Sequence, residues 1–277
     1  MFNPKSPLLM SENNASAHTE MNTEIRYMVI YGYTSRELTK VIKHFKLHLP
    51  EYVKMTVRTQ SLVSRITLTG VDNKVELLRF KMNRFQQMLA DIFSEEVISM
   101  QDKTLPQVLG ELLTERELSV ACAESCTGGN IAHRIVQIPG SSAYFLGSIV
   151  SYANDVKAGV LGVSRSDIDN YGAVSEQVVE GMVKGVCRLM RTECGIATSG
   201  IAGPDGGTKY KPVGTVWIAA KCLDRVVSEC IHFDGDRNEV IESATNHGMF
   251  MLMRLLRNTY VMQEDFTDER CGKNAPA

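Results

Sequence analysis

The chain has 277 residues, 44% of them hydrophobic and 22% charged, with a net charge of −2. That is the composition of a globular protein with material for one large or two ordinary cores, and the overall charge gives no pointer to nucleic acid or to an anionic membrane surface. No apolar run approaches the roughly 20 residues of a membrane-spanning helix, and the polar N-terminus lacks the apolar stretch and cleavage site of a secretory signal.

Residues 1–23 are expected to be a disordered tail. A small α+β module is predicted over 24–99. EIRYMVIY alternates and is rich in β-formers, so it reads as a strand. SRELTKVIKHFKLHL has helical spacing, with Ser35 as the N-cap. VKMTVRT and LVSRITLTG read as two strands, NKVELLRFKMNRFQQMLADIF as a long amphipathic helix and EEVIS as a short last strand. This β-α-β-β-α-β order is the split βαβ plan. The module holds 12 Lys and Arg against 8 Asp and Glu, whereas the rest of the chain holds 18 against 24. A basic α+β module can bind nucleic acid. Here many of the charges fall on the two helices and the glycines are only Gly32 and Gly70, so the GxxG clamp of a KH domain is missing. A packing or dimerisation role is favoured, and nucleic acid is disfavoured as a partner.

A second domain is predicted over 105–262. LPQVLGELLTERE is an amphipathic helix with Pro106 in its first turn. LSVACAES is a strand and its exit, GGNIAHRIVQI a helix, and AYFLGSIVSYA an extended, buried run. NDVKAGVLGV and SRSDIDNYG are short helices, and Ser175 opens a longer one through Arg191. GIATSGIAG is a strand running into a glycine loop, VGTVWIAAKC and DRVVSECIHFDG form a hairpin, and a long helix closes the domain. Alternating helices and strands with a late hairpin predict a three-layer α/β/α domain with a mixed sheet. Residues 263–277 are expected to be a disordered tail.

The seven cysteines, Cys122, Cys126, Cys187, Cys194, Cys222, Cys230 and Cys271, are odd in number, form no CxxC and lie mostly in apolar surroundings. Reduced thiols in a cytoplasmic setting are the natural reading, and no metal site is expected. His133, His232 and His247 lack the partners of a Ser-His-Asp triad and are read as structural.

Four stretches carry the residues able to do chemistry, each at a strand exit or in a glycine-rich loop, where open α/β sheets bind ligands. The first is AESCTGG, 123–129. Ser125 follows a strand and precedes a helix, so it is either a cap or a nucleophile beside unpaired amides. Glu124, Thr127, Gly128 and Gly129 are the neighbouring candidates for ligand contact. The second is SYANDVK, where Tyr152 and Lys157 lie across the entry to a helix. Such a couple can act as a base if burial lowers the lysine pKa, or it can be an ordinary tyrosine and a surface lysine. The third, SGIAGPDGGTKYKPVGT, packs Gly200, Gly203, Gly206, Gly207 and Gly214 into one loop after Ser199. It suits anion binding by main-chain amides, without the order of a P-loop. The fourth is FDGDRNEV, where Arg237 can hold a phosphate or carboxylate at a helix start, or can be exposed beside an Asp cap.

AESCTGG, GSSAYFLGSIVSYANDVKAGVLGV, YGAVSEQVV, SGIAGPDGGTKYKPVGTVW and FDGDR occur in one order and spacing. Over residues 105–260 the chain resembles the C-terminal domain of the CinA (competence/damage-inducible) family, which also occurs alone as nicotinamide-nucleotide amidase. The resemblance implies hydrolysis of the carboxamide of nicotinamide mononucleotide to nicotinate mononucleotide and ammonia. It implies Ser125 as nucleophile, Tyr152 and Lys157 as the base system, and a pocket completed by Arg237 and the 199–207 loop, with Ser199, Gly200 and Gly203. The oxyanion would be held at Cys126 and Thr127, with no metal or cofactor. A homodimer is also implied. More loosely, 24–99 resembles the KH-like module that precedes this domain in full-length CinA proteins. Their large molybdopterin-binding-like domain is not in this sequence, so its pyrophosphatase activity is not expected. The other functional readings are a catalytically idle, nucleotide-binding regulator linked to competence, and a nucleic-acid binder built on the basic module.

Overall fold

A computed structural model of the chain describes residues 21–271. The first part comprises β1 (Asn22–Tyr31), α1 (Ser35–Leu47), β2 (Val53–Gln60), β3 (Val63–Asp72), α2 (Val75–Phe93) and β4 (Val97–Ser99). The four strands form an antiparallel sheet in the order β2-β3-β1-β4, as the split βαβ plan requires. Met28 and Ile30 alternate with Val29 and Tyr31 along β1. The first pair packs under α1 and α2, and the second faces away. The start of α1 differs from expectation. Thr34, not Ser35, is the N-cap, because Glu37 three residues on closes a capping box with it: Glu37 N donates to Thr34 Oγ1 at 3.3 Å, and Thr34 N to Glu37 Oε2 at 2.9 Å.

The second part comprises α3 (Leu105–Glu115), β5 (Val120–Glu124), α4 (Asn130–Val136), β6 (Phe145–Val150), α5 (Asn154–Gly159), α6 (Arg165–Tyr171), α7 (Glu176–Met190), β7 (Cys194–Gly200), β8 (Thr215–Cys222), β9 (Arg225–His232) and α8 (Arg237–Cys271). Helix α8 runs past residue 262, where the sequence predicts a disordered tail, and β1 begins inside the span expected to be disordered at the other end. Residues 1–20 and 272–277 of those two tails lie outside the described residues.

The second sheet has the order β6-β5-β7-β8-β9. Strands β6, β5 and β7 are parallel, while β8 and β9 add on antiparallel. Period-2 alternation sends Val120 and Cys122 of β5 toward the core under α3, α4 and α8, and Ala121 and Ala123 toward α7. The result is a three-layer α/β/α sandwich with a mixed sheet. One expectation fails here. The run through β6 is not buried, because the strand order places it at the sheet edge; Leu146 and Val150 are 51% and 48% exposed.

The two parts share a core. Val29, Tyr31 and Ile98 of the first sheet join the apolar cluster of α3 and α8. Tyr31 stacks on Phe250 at 4.3 Å between ring centres, and its hydroxyl lies 2.8 Å from Nδ1 of His247. His247 Nε2 is 3.0 Å from Glu229 Oε2, so this histidine is engaged between strand and module. Arg257 donates to the carbonyls of Val97 and Ile98, both at 2.7 Å. Asn246 donates to the Ser61 carbonyl in the β2–β3 turn at 3.0 Å.

Candidate active site

The parallel strands β5, β6 and β7 all deliver their carboxyl ends to one edge of the sheet. Successive crossovers leave β5 toward β6 by way of α4 on one face, and return to β7 by way of α7 on the other. Ligands bind in such a crevice. Ser125 follows β5, Ser151 and Tyr152 follow β6, and Ser199 and Gly200 end β7.

Glu124 organises the first of these exits. It is fully buried, and its carboxylate accepts from five donors. Oε2 takes Thr127 Oγ1 at 2.8 Å and the amides of Gly129 and Ile131 at 2.9 and 3.0 Å. Oε1 takes the Ala132 amide at 3.0 Å and Ser148 Oγ of β6 at 3.1 Å. These amides belong to the start of α4, which have no partner within the helix, and the negative charge suits the positive end of its dipole. Gly129 adopts φ +101°, which turns the chain sharply enough to bring them onto one carboxylate. The expectation that Glu124 and Thr127 present side chains to a ligand is therefore corrected. Both are turned inward and saturated, Thr127 also lying 2.8 Å from Thr198 Oγ1 of β7.

The turn so fixed carries Ser125. Its amide donates to the Thr198 carbonyl at 3.0 Å, and the Gly128 amide returns to the Ser125 carbonyl at 3.2 Å. With Gly129 held by Glu124, the amides of Cys126 and Thr127 are the two in residues 125–129 not committed to another residue among the described residues, the Cys126 amide meeting only its own thiol. Gly128 and Gly129 thus shape the turn, and their amides are spoken for.

Lys157 of α5 reaches the same point. Its Nζ lies 2.9 Å from Ser125 Oγ, 2.7 Å from the Ser151 carbonyl and 3.1 Å from the Tyr152 carbonyl. The residue is 1% exposed, and this burial holds its pKa below the ordinary lysine value. Tyr152 stands differently. Its main chain cradles the lysine, while its side chain is 65% exposed at the mouth. Cys126 lies beside them, buried, its thiol pushed up to about 12 by desolvation. It stays protonated at neutral pH and does not compete as a nucleophile.

Ser125, Cys126, Tyr152 and Lys157 line one side of a pocket of about 200 Å³, and Ser199, Gly200 and Arg237 line the other. Arg237, the first residue of α8, donates to the Gly203 carbonyl at 2.6 Å and so pins the glycine loop. Ser199 Oγ donates to the Ala173 carbonyl at 2.7 Å. The side chain of Lys211 ties the far end of the loop to the carbonyls of Tyr171 and Val174 at 2.8 and 2.7 Å. Asn154, Ala173 and Val174 also line the pocket without having been expected there, while Ala202 lies in the expected 199–207 loop. An alanine or valine in a connecting loop carries no chemical signal; only Asn154, inside SYANDVK, was within reach of sequence reasoning.

The CinA C-terminal domain family model matches residues 102–256. The chain belongs to the CinA family. It is 38% identical over 236 residues to a CinA-like protein of Flavobacterium psychrophilum, a match covering 84% of this chain and 56% of that one. A CinA-like protein of Colwellia psychrerythraea is 33% identical over 264 residues, covering 92% and 60%. The chain thus spans about half the length of the curated relatives it matches. Among solved structures, the CinA superfamily protein from Klebsiella pneumoniae 700603 is 32% identical with a TM-score of 0.54, covering 56% of this chain and 96% of that one. The competence/damage inducible protein CihA from Agrobacterium tumefaciens is 36% identical with a TM-score of 0.53, covering 55% and 93%. Among the described residues no helix is long and apolar enough to cross a membrane, and no group of three His, Cys, Asp or Glu side chains is placed to hold a metal ion.

Proposed function

We propose that this CinA-family protein is a serine amidase that converts nicotinamide mononucleotide to nicotinate mononucleotide and ammonia. The observation that carries the reading is the buried Lys157 amine 2.9 Å from Ser125 Oγ. A neutral amine has two N–H bonds and one lone pair. The Ser151 and Tyr152 carbonyls accept the two N–H bonds, which turns the lone pair toward the serine hydroxyl. Ser125 Oγ then attacks the carboxamide carbon as its proton passes to Lys157. The amides of Cys126 and Thr127, neither committed to another residue, receive the oxyanion. The C–N bond breaks as Lys157 returns the proton to the leaving nitrogen, releasing ammonia. Water, deprotonated by the same amine, hydrolyses the ester and regenerates Ser125.

The contact supports Lys157 as the direct base, with Tyr152 lining the mouth. The pyridinium withdraws electrons from the carboxamide and suits a modest serine nucleophile. The phosphate lies toward Arg237 and the 199–207 loop, of which Gly203 is held by its carbonyl and Ser199 and Gly200 face the pocket. The chemistry needs no metal or cofactor. In this reading the protein acts as a cytoplasmic homodimer in pyridine nucleotide salvage. The test is ammonia release from nicotinamide mononucleotide in the presence of EDTA, by wild type and by Ser125→Ala. Release by wild type alone is expected. Nucleotide binding with no release would replace the amidase reading with that of a nucleotide-binding regulator.

A further inference from the structure

Away from the Ser125 pocket, a cleft of about 290 Å³ opens between the first sheet and the α/β domain. Four cationic side chains line it, Arg58 of β2, Arg65 of β3, Lys103 before α3 and Arg134 of α4, against one carboxylate, Glu242 of α8. Arg58 and Arg65 are register partners on adjacent antiparallel strands. Their side chains therefore leave the same face directly opposite each other, an arrangement that like charges disfavour. Neighbouring acids relieve this only in part. Arg65 pairs with Asp102 at 2.8 Å and Lys103 with Glu111 at 2.8 Å. Glu242 stands 4.0 Å from Arg134, while its other oxygen is occupied by Asn130 Nδ2 at 3.1 Å. Arg134 Nε is buried without a hydrogen-bond partner. Arg58 has no acid within ion-pairing distance among the described residues.

We propose that this cleft is an anion site for a small phosphate-bearing ligand, separate from the Ser125 pocket. Four cations from four different elements, two of them forced opposite each other, make a positive focus that a phosphate group neutralises. The guanidinium groups offer the paired N–H geometry that phosphate oxygens match. The volume sits at the low end of the range for small-molecule sites, which fits a compact phosphate ester. The cleft draws its walls from both parts of the chain, so occupancy ties the first module to α4 and α8.

Inorganic pyrophosphate is the probe, and isothermal calorimetry at low ionic strength the measurement, on full-length protein. Wild type, Arg58→Glu, Arg134→Gln and Arg237→Ala are compared, with circular dichroism checking that each is folded. Binding that weakens tenfold or more in Arg58→Glu and in Arg134→Gln but persists in Arg237→Ala is the expected result. Binding lost in Arg237→Ala and kept in the other two would place the anion in the Ser125 pocket and overturn the proposal. So would the absence of any binding by folded wild type at millimolar pyrophosphate. A competition arm adds a single-stranded oligonucleotide. If that polymer binds tightly and displaces the probe through Arg58, the ligand class is wrong and the cleft belongs to a nucleic-acid surface.

Discussion

The two walls of the Ser125 pocket are built in opposite ways. On one side the nucleophile turn is nearly saturated: a buried carboxylate gathers five donors, and three of the five amides in residues 125–129 are committed. On the other, the glycine loop between Gly200 and Gly214 is zipped at its base by main-chain bonds of Ile201, Gly214 and Phe233 and turned at its tip between Thr208 and Lys211, while side chains tie it to its surroundings at a few points, by Arg237 to the Gly203 carbonyl and by Lys211 to the helix connection. Tyr210 at its tip is 89% exposed. A nucleophile and its base must be held within fractions of an ångström, so rigidity is concentrated where bonds are made. A wall that admits and releases a nucleotide is served by fewer tethers. The comparison predicts that changes to the first wall act on kcat and stability together, whereas changes to the second act on KM.

The largest expected effects come from the reacting pair. Ser125→Ala and Lys157→Met should each lower kcat for ammonia release roughly a thousandfold or more, with nucleotide binding retained in the serine variant. The same pair sets the pH profile. Protonated Lys157 cannot accept the serine proton, so kcat/KM should rise with pH and level off at a pKa below the free lysine value, since burial depresses it. A rate that falls across that range would exclude Lys157 as the base.

Next in size is Glu124→Ala. It strips the acceptor from three amides and two hydroxyls in a buried turn. Leaving such groups unpaired costs on the order of 3 kcal/mol or more, seen as a fall in Tm by roughly 6–12 °C, with kcat lowered as Ser125 loses its seat. Arg237→Ala should be milder and of another kind: KM for the nucleotide rises roughly tenfold, while kcat and Tm stay close to wild type. A matching fall in kcat would mean that the two walls are not separable. Smallest is Tyr210→Ala, expected to change stability by less than about 0.5 kcal/mol, as for other exposed positions.

The contrast also explains what was legible in the sequence. Ser125 and Arg237 were readable because each lies at a strand exit or helix start, and Lys157 because it sits in the short helix entered just after a strand exit, places that local pattern reveals. Their convergence was not. It depends on β6 and β7 lying on either side of β5, which is a property of the sheet order. Glu124 was misassigned for the same reason. Beside a nucleophile a carboxylate looks like a ligand contact, and only the folded turn shows the α4 amides and Ser148 pointing at it. The buried character given to the β6 run failed because period and composition do not say which strand is the edge. The cap of α1 was misplaced by one residue because Ser35 is an acceptable cap in itself, while the Thr34–Glu37 spacing decides between them.

The most direct test of the account is to look for the ester itself. Wild-type protein in excess over nicotinamide mononucleotide is quenched in acid during a single turnover, and its peptides are mapped by mass spectrometry. The account predicts a nicotinate-nucleotide acyl group on the peptide carrying Ser125. Ammonia release at the wild-type rate by Ser125→Ala, with that peptide unmodified in wild type, would contradict it.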